Sequence, residues 1–185
     1  MKEIIRCGWC EKDDLYREYH DKEWGKPVYD DETLFEFLVL ESFQAGLSWY
    51  TILKKRESFK EAFDNFDYNV IAEYKQDKVE TLMQNEGIIR NRLKILATIN
   101  NAQRFMEVQE EFGSFSKYIW SFVDGEPIIN SPKELKDVPA TTEISDKLAK
   151  DLKKRGFKFL GSTVVYAHMQ ATGMVNDHLI SCHSR

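Results

Sequence analysis

Residues 30–49 read Asp30-Asp-Glu-Thr-Leu-Phe-Glu-Phe-Leu-Val-Leu-Glu-Ser-Phe-Gln-Ala-Gly-Leu-Ser-Trp49. Asp30-Asp31-Glu32 is a helix start, with acid groups where the free N–H groups of a first turn favour negative charge. Leu34, Phe37, Leu38 and Ala45 then recur at helical spacing, and the run continues towards Trp49. Glu41 interrupts it. It stands three residues after Leu38 and four before Ala45, so it shares their apolar face. An ionised carboxylate buried there is costly unless paired. It is half of a salt bridge, or on a face turned to solvent, or an acceptor held in a pocket for a cation or a hydrogen-bond donor.

Outward from this segment the helical period persists. A helix is predicted in the 57–64 region and another near 68–84, on Val70, Ile71, Val79, Leu82 and Met83. Gly87 breaks the pattern, and Ile88-Ile89-Arg90-Asn91 opens a helix through Leu93, Leu96, Ile99 and Phe105. Tyr118, Ile119, Phe122 and Val123 form a shorter element before the turn Asp124-Gly125. Residues 124–141, with Pro127, Pro132 and Pro139, read as a surface loop. Helix restarts at Thr141-Thr142-Glu143 and carries Leu148 and Leu152. Gly156 and Gly161 bracket a short hairpin. An apolar helix covers about 162–172, and a tail leads to His178-Leu-Ile-Ser-Cys182. No strand ladder is legible, so the fold reads as mostly α.

The chain has 185 residues, 42% of them hydrophobic and 13% aromatic, which suits one domain with its own core and argues against disorder. No apolar run reaches the roughly 20 residues of a membrane helix. The opening MKEIIRCGW has no secretory apolar stretch, so a cytoplasmic location is expected. Three cysteines make no disulfide framework. With a net charge of −5, any affinity for nucleic acid must rest on local charge.

Three further features carry chemistry. Cys7 and His20 lie near the start of the chain, and His178 and Cys182 near its end, the latter pair four apart and so on one helical face. Two thiolates and two imidazoles suit a closed tetrahedral zinc site. Cys7-x-x-Cys10 with His178 and Cys182 is an equally good set, and either reads as structural. Tyr16, Tyr19, Trp24 and Trp49 crowd the sequence around Glu41; such residues are core, or the π faces that a flat cationic ring would use. Finally, KLAKDLKKRGFK (147–158) holds six basic residues and one acid, and leads through Gly156-Phe-Lys-Phe-Leu-Gly161 into a helix beginning at Ser162. That is a solvated helix face or a phosphate site, where free N–H groups of the new helix and nearby cations hold a nucleic-acid backbone. Lys54-Lys55-Arg56 and Arg90, Arg92, Lys94 are weaker basic clusters with the same two readings.

Together these residues resemble the 3-methyladenine DNA glycosylase I family, of the helix-hairpin-helix DNA glycosylase superfamily. The resemblance spans nearly the whole chain and rests on Arg6-Cys-Gly-Trp9, Tyr19-His-Asp21 with Glu23-Trp-Gly25, Gln44-Ala-Gly-Leu-Ser-Trp49, Gly87-Ile-Ile-Arg90, Lys153-Lys-Arg-Gly-Phe-Lys-Phe159 and Val175-Asn-Asp-His178. It implies a mostly α helix-hairpin-helix fold in a single domain, 1–185. A zinc-tied lobe (about 1–30 plus 173–185) would flank a helical core (about 31–172), with the hairpin at about 156–161. It implies one structural zinc on Cys7, His20, His178 and Cys182, leaving Cys10 out. It implies Glu41 as the base-recognition carboxylate and catalytic residue, Trp49 as the stacking ring, and Tyr16, Tyr19 and Trp24 as pocket aromatics. Gly156, Lys158, Gly161, Ser162 and Thr163 would meet the DNA backbone. Relatives that also cut the backbone carry lysine where this chain has Thr163, so a monofunctional enzyme is implied. The superfamily's catalytic aspartate has its nearest counterpart in Asp177, beside a zinc ligand.

The implied activity is excision of 3-methyladenine from double-stranded alkylated DNA, leaving an abasic site and the free base. The enzyme would be a monomer with no membrane partner. Methylation at N3 makes the base cationic and already a good leaving group, so extrusion and recognition are the main tasks. Guanine, which offers oxygen where adenine offers an amine, would leave the buried carboxylate unpaired. Two rival readings are a non-catalytic zinc-stabilised nucleic-acid binder and a small-molecule enzyme with zinc at its active centre.

Overall fold

The computed structural model describes residues 4–185; the first three residues of the 1–30 segment lie outside the described residues. The fold is mostly helical, as the periodicity predicts. Among the described residues nine α-helices follow in order: α1 (Asp14–Lys22), α2 (Asp31–Phe43), α3 (Trp49–Ala62), α4 (Tyr68–Ile71), α5 (Gln76–Met83), α6 (Arg92–Phe112), α7 (Phe115–Trp120), α8 (Glu143–Lys154) and α9 (Ser162–Ala171).

The helix α2 is the centre of the molecule. Asp30 caps it by accepting from the Thr33 N–H at 2.9 Å. Leu34, Phe35 and every residue from Phe37 to Phe43 are buried, so this helix has no solvent face from its second turn onward. α3, α6, α7 and α9 surround it. Rings fill the gaps: Phe35 meets Phe105, which stacks on Phe115 at 4.3 Å, and Phe43 packs on Phe59 at 4.9 Å.

Several boundaries differ from the sequence reading. The run from Asp30 does not reach Trp49. It stops at Phe43, turns through Gly46 at φ +78°, and restarts when Ser48 caps α3. Ala45 is therefore exposed and shares no face with Glu41, whose burial comes from the central position of α2. The helix expected at 57–64 is the second half of α3. The segment 68–84 is two helices, α4 and α5, separated at residues 72–75. A single short strand pair exists among the described residues: β1 (Ile128–Ile129), inside the proline-bearing loop, runs parallel to β2 (Val175–Asn176). His178 and Cys182 lie on a turn after β2, not on a helix.

That pairing ties the proline-bearing loop to the C-terminal segment, and separate backbone hydrogen bonds draw the two ends of the chain together. The Gly25 N–H donates to Gln170 O and the Val28 N–H to Thr172 O, each at 2.9 Å; the His183 N–H donates to Ile5 O at 2.9 Å. Gly173, at φ +71°, sits so close to the chain at residues 26–27 that a Cβ there would lie 2.2 Å from the Lys26 carbonyl carbon. No helix among the described residues is long and apolar enough to cross a membrane.

Candidate functional site

A cavity of about 140 Å³ opens between α1, the end of α2, the start of α3 and α9. Its walls are Trp9, Tyr16, Tyr19, Trp24, Trp49 and Glu41, with Gln44, Ala167 and Gln170 completing them. That volume lies below the range of drug-sized pockets and suits one small flat ring. The aromatic walls hold one another in place. Trp9 meets Tyr16 at 4.9 Å and Trp24 at 5.1 Å, while Tyr19 meets Trp49 at 5.4 Å. So the four aromatics named from the sequence do converge with Glu41.

Glu41 is 3% exposed and has neither a hydrogen-bond partner nor an ion pair for its carboxyl among the described residues; its Oε2 is shut off from solvent as well. Desolvation alone raises its pKa to about 8. The salt-bridge and solvent-face readings of Glu41 thus do not apply. The Trp49 ring N–H is likewise buried without a partner. Burial also drives the Tyr16 hydroxyl up to about 12, with the Glu41 charge adding to it. Two unpaired polar atoms in one aromatic cavity leave its hydrogen-bonding capacity free for an occupant.

The second cluster is built the opposite way. One ligand atom from each of Cys7, His20, His178 and Cys182 lies within 4.8 Å of all the others, and all four residues are buried. Cys182 Sγ is 3.5 Å from both His20 Nε2 and His178 Nδ1, and Cys7 Sγ is 3.7 Å from His178 Nδ1. Zinc–sulfur and zinc–nitrogen bonds of usual length set a tetrahedral S···N edge of about 3.6 Å, so the donor set fits that ion. Each imidazole spends its other nitrogen outside the cluster, His20 Nδ1 on Asp21 at 2.7 Å and His178 Nε2 on the Trp24 carbonyl at 2.9 Å. Burial is the main cause that pushes the Cys7 thiol up to about 12 and His178 down to about 4, so an ionised thiol here calls for a cation. Cys10 takes no part, since its thiol donates to the Cys7 carbonyl at 3.1 Å. The geometry thus places Cys10 outside the cluster that gathers the other three residues of the alternative set.

The third region joins α8 to α9. Gly156 turns at φ +92° and Phe159 at φ +59°. The Lys158 N–H donates to Asn101 Oδ1, whose own amide donates back to the Lys158 carbonyl, both at 2.9 Å. The Gly156 N–H goes to Lys153 O. These two backbone N–H groups are therefore spent inside the protein. Those of Gly161, Ser162 and Thr163 have no partner among the described residues, because Gly161 is the cap of α9 and has no side chain to offer. The Ser162 hydroxyl donates to Asp146 at 2.5 Å. Lys147, Lys150, Lys153, Lys154 and Lys158 are exposed and unpaired, whereas Arg155 is held by Asp151 and Glu111. The weaker basic clusters are largely committed: Arg56 to Glu23 and Glu36, Arg92 to Glu80, and the buried Lys94 ammonium to the Phe43 carbonyl.

Asp177 is 1% exposed and well partnered. It accepts from the Tyr166 hydroxyl at 2.5 Å, Asn130 Nδ2 at 2.7 Å and Gln170 Nε2 at 2.9 Å. Sequence reasoning missed Trp9, Gln44, Ala167 and Gln170 as cavity walls. Trp9 stood in a quoted motif, but nothing in the sequence aims Ala167 and Gln170 of α9 at α2.

The family described as methyladenine glycosylase matches residues 9–185. The chain belongs to the methyladenine glycosylase family. Membership makes it a glycosylase, in agreement with the resemblance to 3-methyladenine DNA glycosylase I. It is 49% identical over 177 residues to the DNA-3-methyladenine glycosylase of Haemophilus influenzae, covering 96% of each chain. It is 48% identical over 177 residues to DNA-3-methyladenine glycosylase 1 of Escherichia coli, covering 96% of this chain and 95% of that one. Its fold matches a tyrosine-to-phenylalanine variant of 3-methyladenine DNA glycosylase I in complex with 3-methyladenine, with TM-score 0.94, 40% identity, and 97% and 96% of the two chains covered.

Proposed function

We propose that the protein excises 3-methyladenine from alkylated double-stranded DNA by hydrolysing the N-glycosidic bond, leaving an abasic site and an uncut backbone. One observation carries the reading: a buried carboxyl with no partner faces a ring-lined cavity the size of one base. Family membership and a similar structure holding 3-methyladenine support the same substrate.

Glu41 accepts from the exocyclic amine of the flipped base. A cationic base rewards that contact with a charge-assisted bond, so methylated adenine is favoured over neutral adenine. Trp49 stacks on the base, and Tyr16, Tyr19 and Trp24 close the walls. Because N3 methylation has already weakened the bond to the sugar, heterolysis returns the bonding pair to the base, which departs neutral. Water adds to the sugar carbon and releases a proton. Thr163 stands where a Schiff-base lysine would be needed, which supports a single hydrolytic step.

The turn 156–161 with α8 and α9 serves as the hairpin of a helix-hairpin-helix fold. Phosphate is held by the free N–H groups of Gly161, Ser162 and Thr163 and by the exposed lysines around them, Lys158 contributing its ammonium. One zinc, held by Cys7, His20, His178 and Cys182, ties a terminal lobe (about 1–30 and 173–185) to a helical core (about 31–172). Its role is structural, since four protein ligands in a buried cluster leave no open position for substrate. Asp177, buried and held by three donors, is assigned no part in activating water. The protein acts as a cytoplasmic monomer.

Single-turnover release of base from methylated duplex DNA tests the reading. Release of 3-methyladenine with 7-methylguanine left in place supports it. No release of either base leaves a binding protein instead.

A further inference from the structure

Gln170 follows Ala167 by one helical step of three on α9, and both line the cavity that holds Glu41. The amide nitrogen of Gln170 donates to Asp177 Oδ2. That carboxylate also receives the Tyr166 hydroxyl and the Asn130 amide, so all its contacts are with donors. Turning the Gln170 amide over would set oxygen against oxygen, which decides its orientation on chemical grounds. The amide oxygen is what remains. It has no partner among the described residues and is not closed off from solvent, and it belongs to a residue that lines the cavity.

We propose that Gln170 is a second base-reading acceptor, and that Asp177 is the positioning residue that keeps an acceptor, not a donor, on the cavity side. This rests on the reading of the cavity as a base site. Gln170 Oε1 accepts from an N–H of a purine bearing an exocyclic amine. A purine with a carbonyl on that edge meets acceptors from both Glu41 and Gln170, and is rejected twice over. Asp177 thus retains a function although it lies outside the chemistry: it converts a residue that could present either end into one that presents oxygen only.

The test is calorimetric binding of free 3-methyladenine to the full-length, zinc-loaded protein. Gln170→Leu should weaken binding about tenfold, the worth of one well-formed hydrogen bond. Asp177→Asn should weaken it to a similar degree, because its own amide lets the Gln170 amide rotate. The double variant should be no weaker than Gln170→Leu alone, since both changes remove one contact. Asn130→Ala, which strips a different donor from Asp177, should keep wild-type affinity, and zinc content should be unchanged throughout. Undiminished binding by Gln170→Leu overturns the inference, as do additive losses in the double variant or a weakened Asn130→Ala. The Gln170→Leu result stands by itself if Asp177→Asn does not fold. Failure of the wild-type protein to bind 3-methyladenine would instead strike the base-site reading and take this inference with it.

Discussion

Glu41 and Asp177 are both hidden from water, at 3% and 1% exposure, yet the protein treats them in opposite ways. Asp177 receives three hydrogen bonds, two from α9 and one from Asn130, and so ties α9 to the loop at Asn130. Glu41 receives none and has a cavity at its side. A carboxylate whose bonds are complete holds structure together. One whose bonds are missing is a cost to the fold, which an occupant of the cavity can relieve. The same contrast divides the surrounding regions: the terminal segments around the cysteine–histidine cluster are filled and cross-linked, while the cavity next to them is held open by rings.

The largest effect should come from the filled side. Cys182→Ser removes a ligand from a site whose metal free energy is also folding free energy, and should lose zinc together with about 5 kcal/mol or more of stability. Metal analysis and chemical unfolding check this; one zinc retained per chain would return Cys10 to the ligand set.

On the open side the sign reverses. The Glu41 pKa of about 8 lies above the ordinary 4.5, so the folded state binds this proton more tightly than the unfolded chain does. Its stabilising contribution is complete below about pH 4.5 and is lost as pH rises through 8. Glu41→Gln does not titrate. It should match the wild type near pH 4.5 and exceed it by up to about 5 kcal/mol at pH 8, read from paired unfolding curves. A difference that does not grow with pH would mean that Glu41 has a partner after all.

The same variant should cost activity. Glu41→Gln should lower kcat/KM for 3-methyladenine release about 10²- to 10³-fold, as expected when a buried charged contact is truncated, with little loss of DNA affinity. Such a pairing of gained stability with lost function is the mark of a site held unsatisfied for its ligand.

How much of this contrast was legible in the sequence differs between the two residues. Glu41 stood out because an acid amid Leu38, Val39, Leu40 and Phe43 has no ordinary reason to be there. The proposed face was wrong, however: Gly46 and Ser48 end one helix and cap the next, and periodicity alone ran across them. Asp177 is singled out in the sequence only by the resemblance, and its bonding is not legible there, since its donors lie 47, 11 and 7 residues away and meet only after folding. The cysteine–histidine cluster was legible by residue type, but not by the argument from one helical face. Spacing left Cys10 and His20 as equals, and only the folded position of the Cys10 thiol separates them. The basic run was legible too. Sequence could not tell that the Lys158 N–H is consumed by Asn101, a residue 57 positions earlier.

The smallest effect belongs to that run. Lys150→Ala and Lys153→Ala should each weaken duplex binding severalfold without changing which base is released. Each should also lower the salt slope of log affinity by about 0.9, measured by titrating labelled duplex at two salt concentrations. A change in base preference would mean that these lysines reach the cavity.

The most direct measurement follows the Glu41 carboxyl itself by carbon-detected NMR titration, with and without free 3-methyladenine. The account predicts a pKa near 8 in the free protein and a fall of at least about one unit on binding, as a donor on the base stabilises the ionised carboxylate. A value near 4.5 in the free protein, or one that stays at 8 with the base bound, would contradict it.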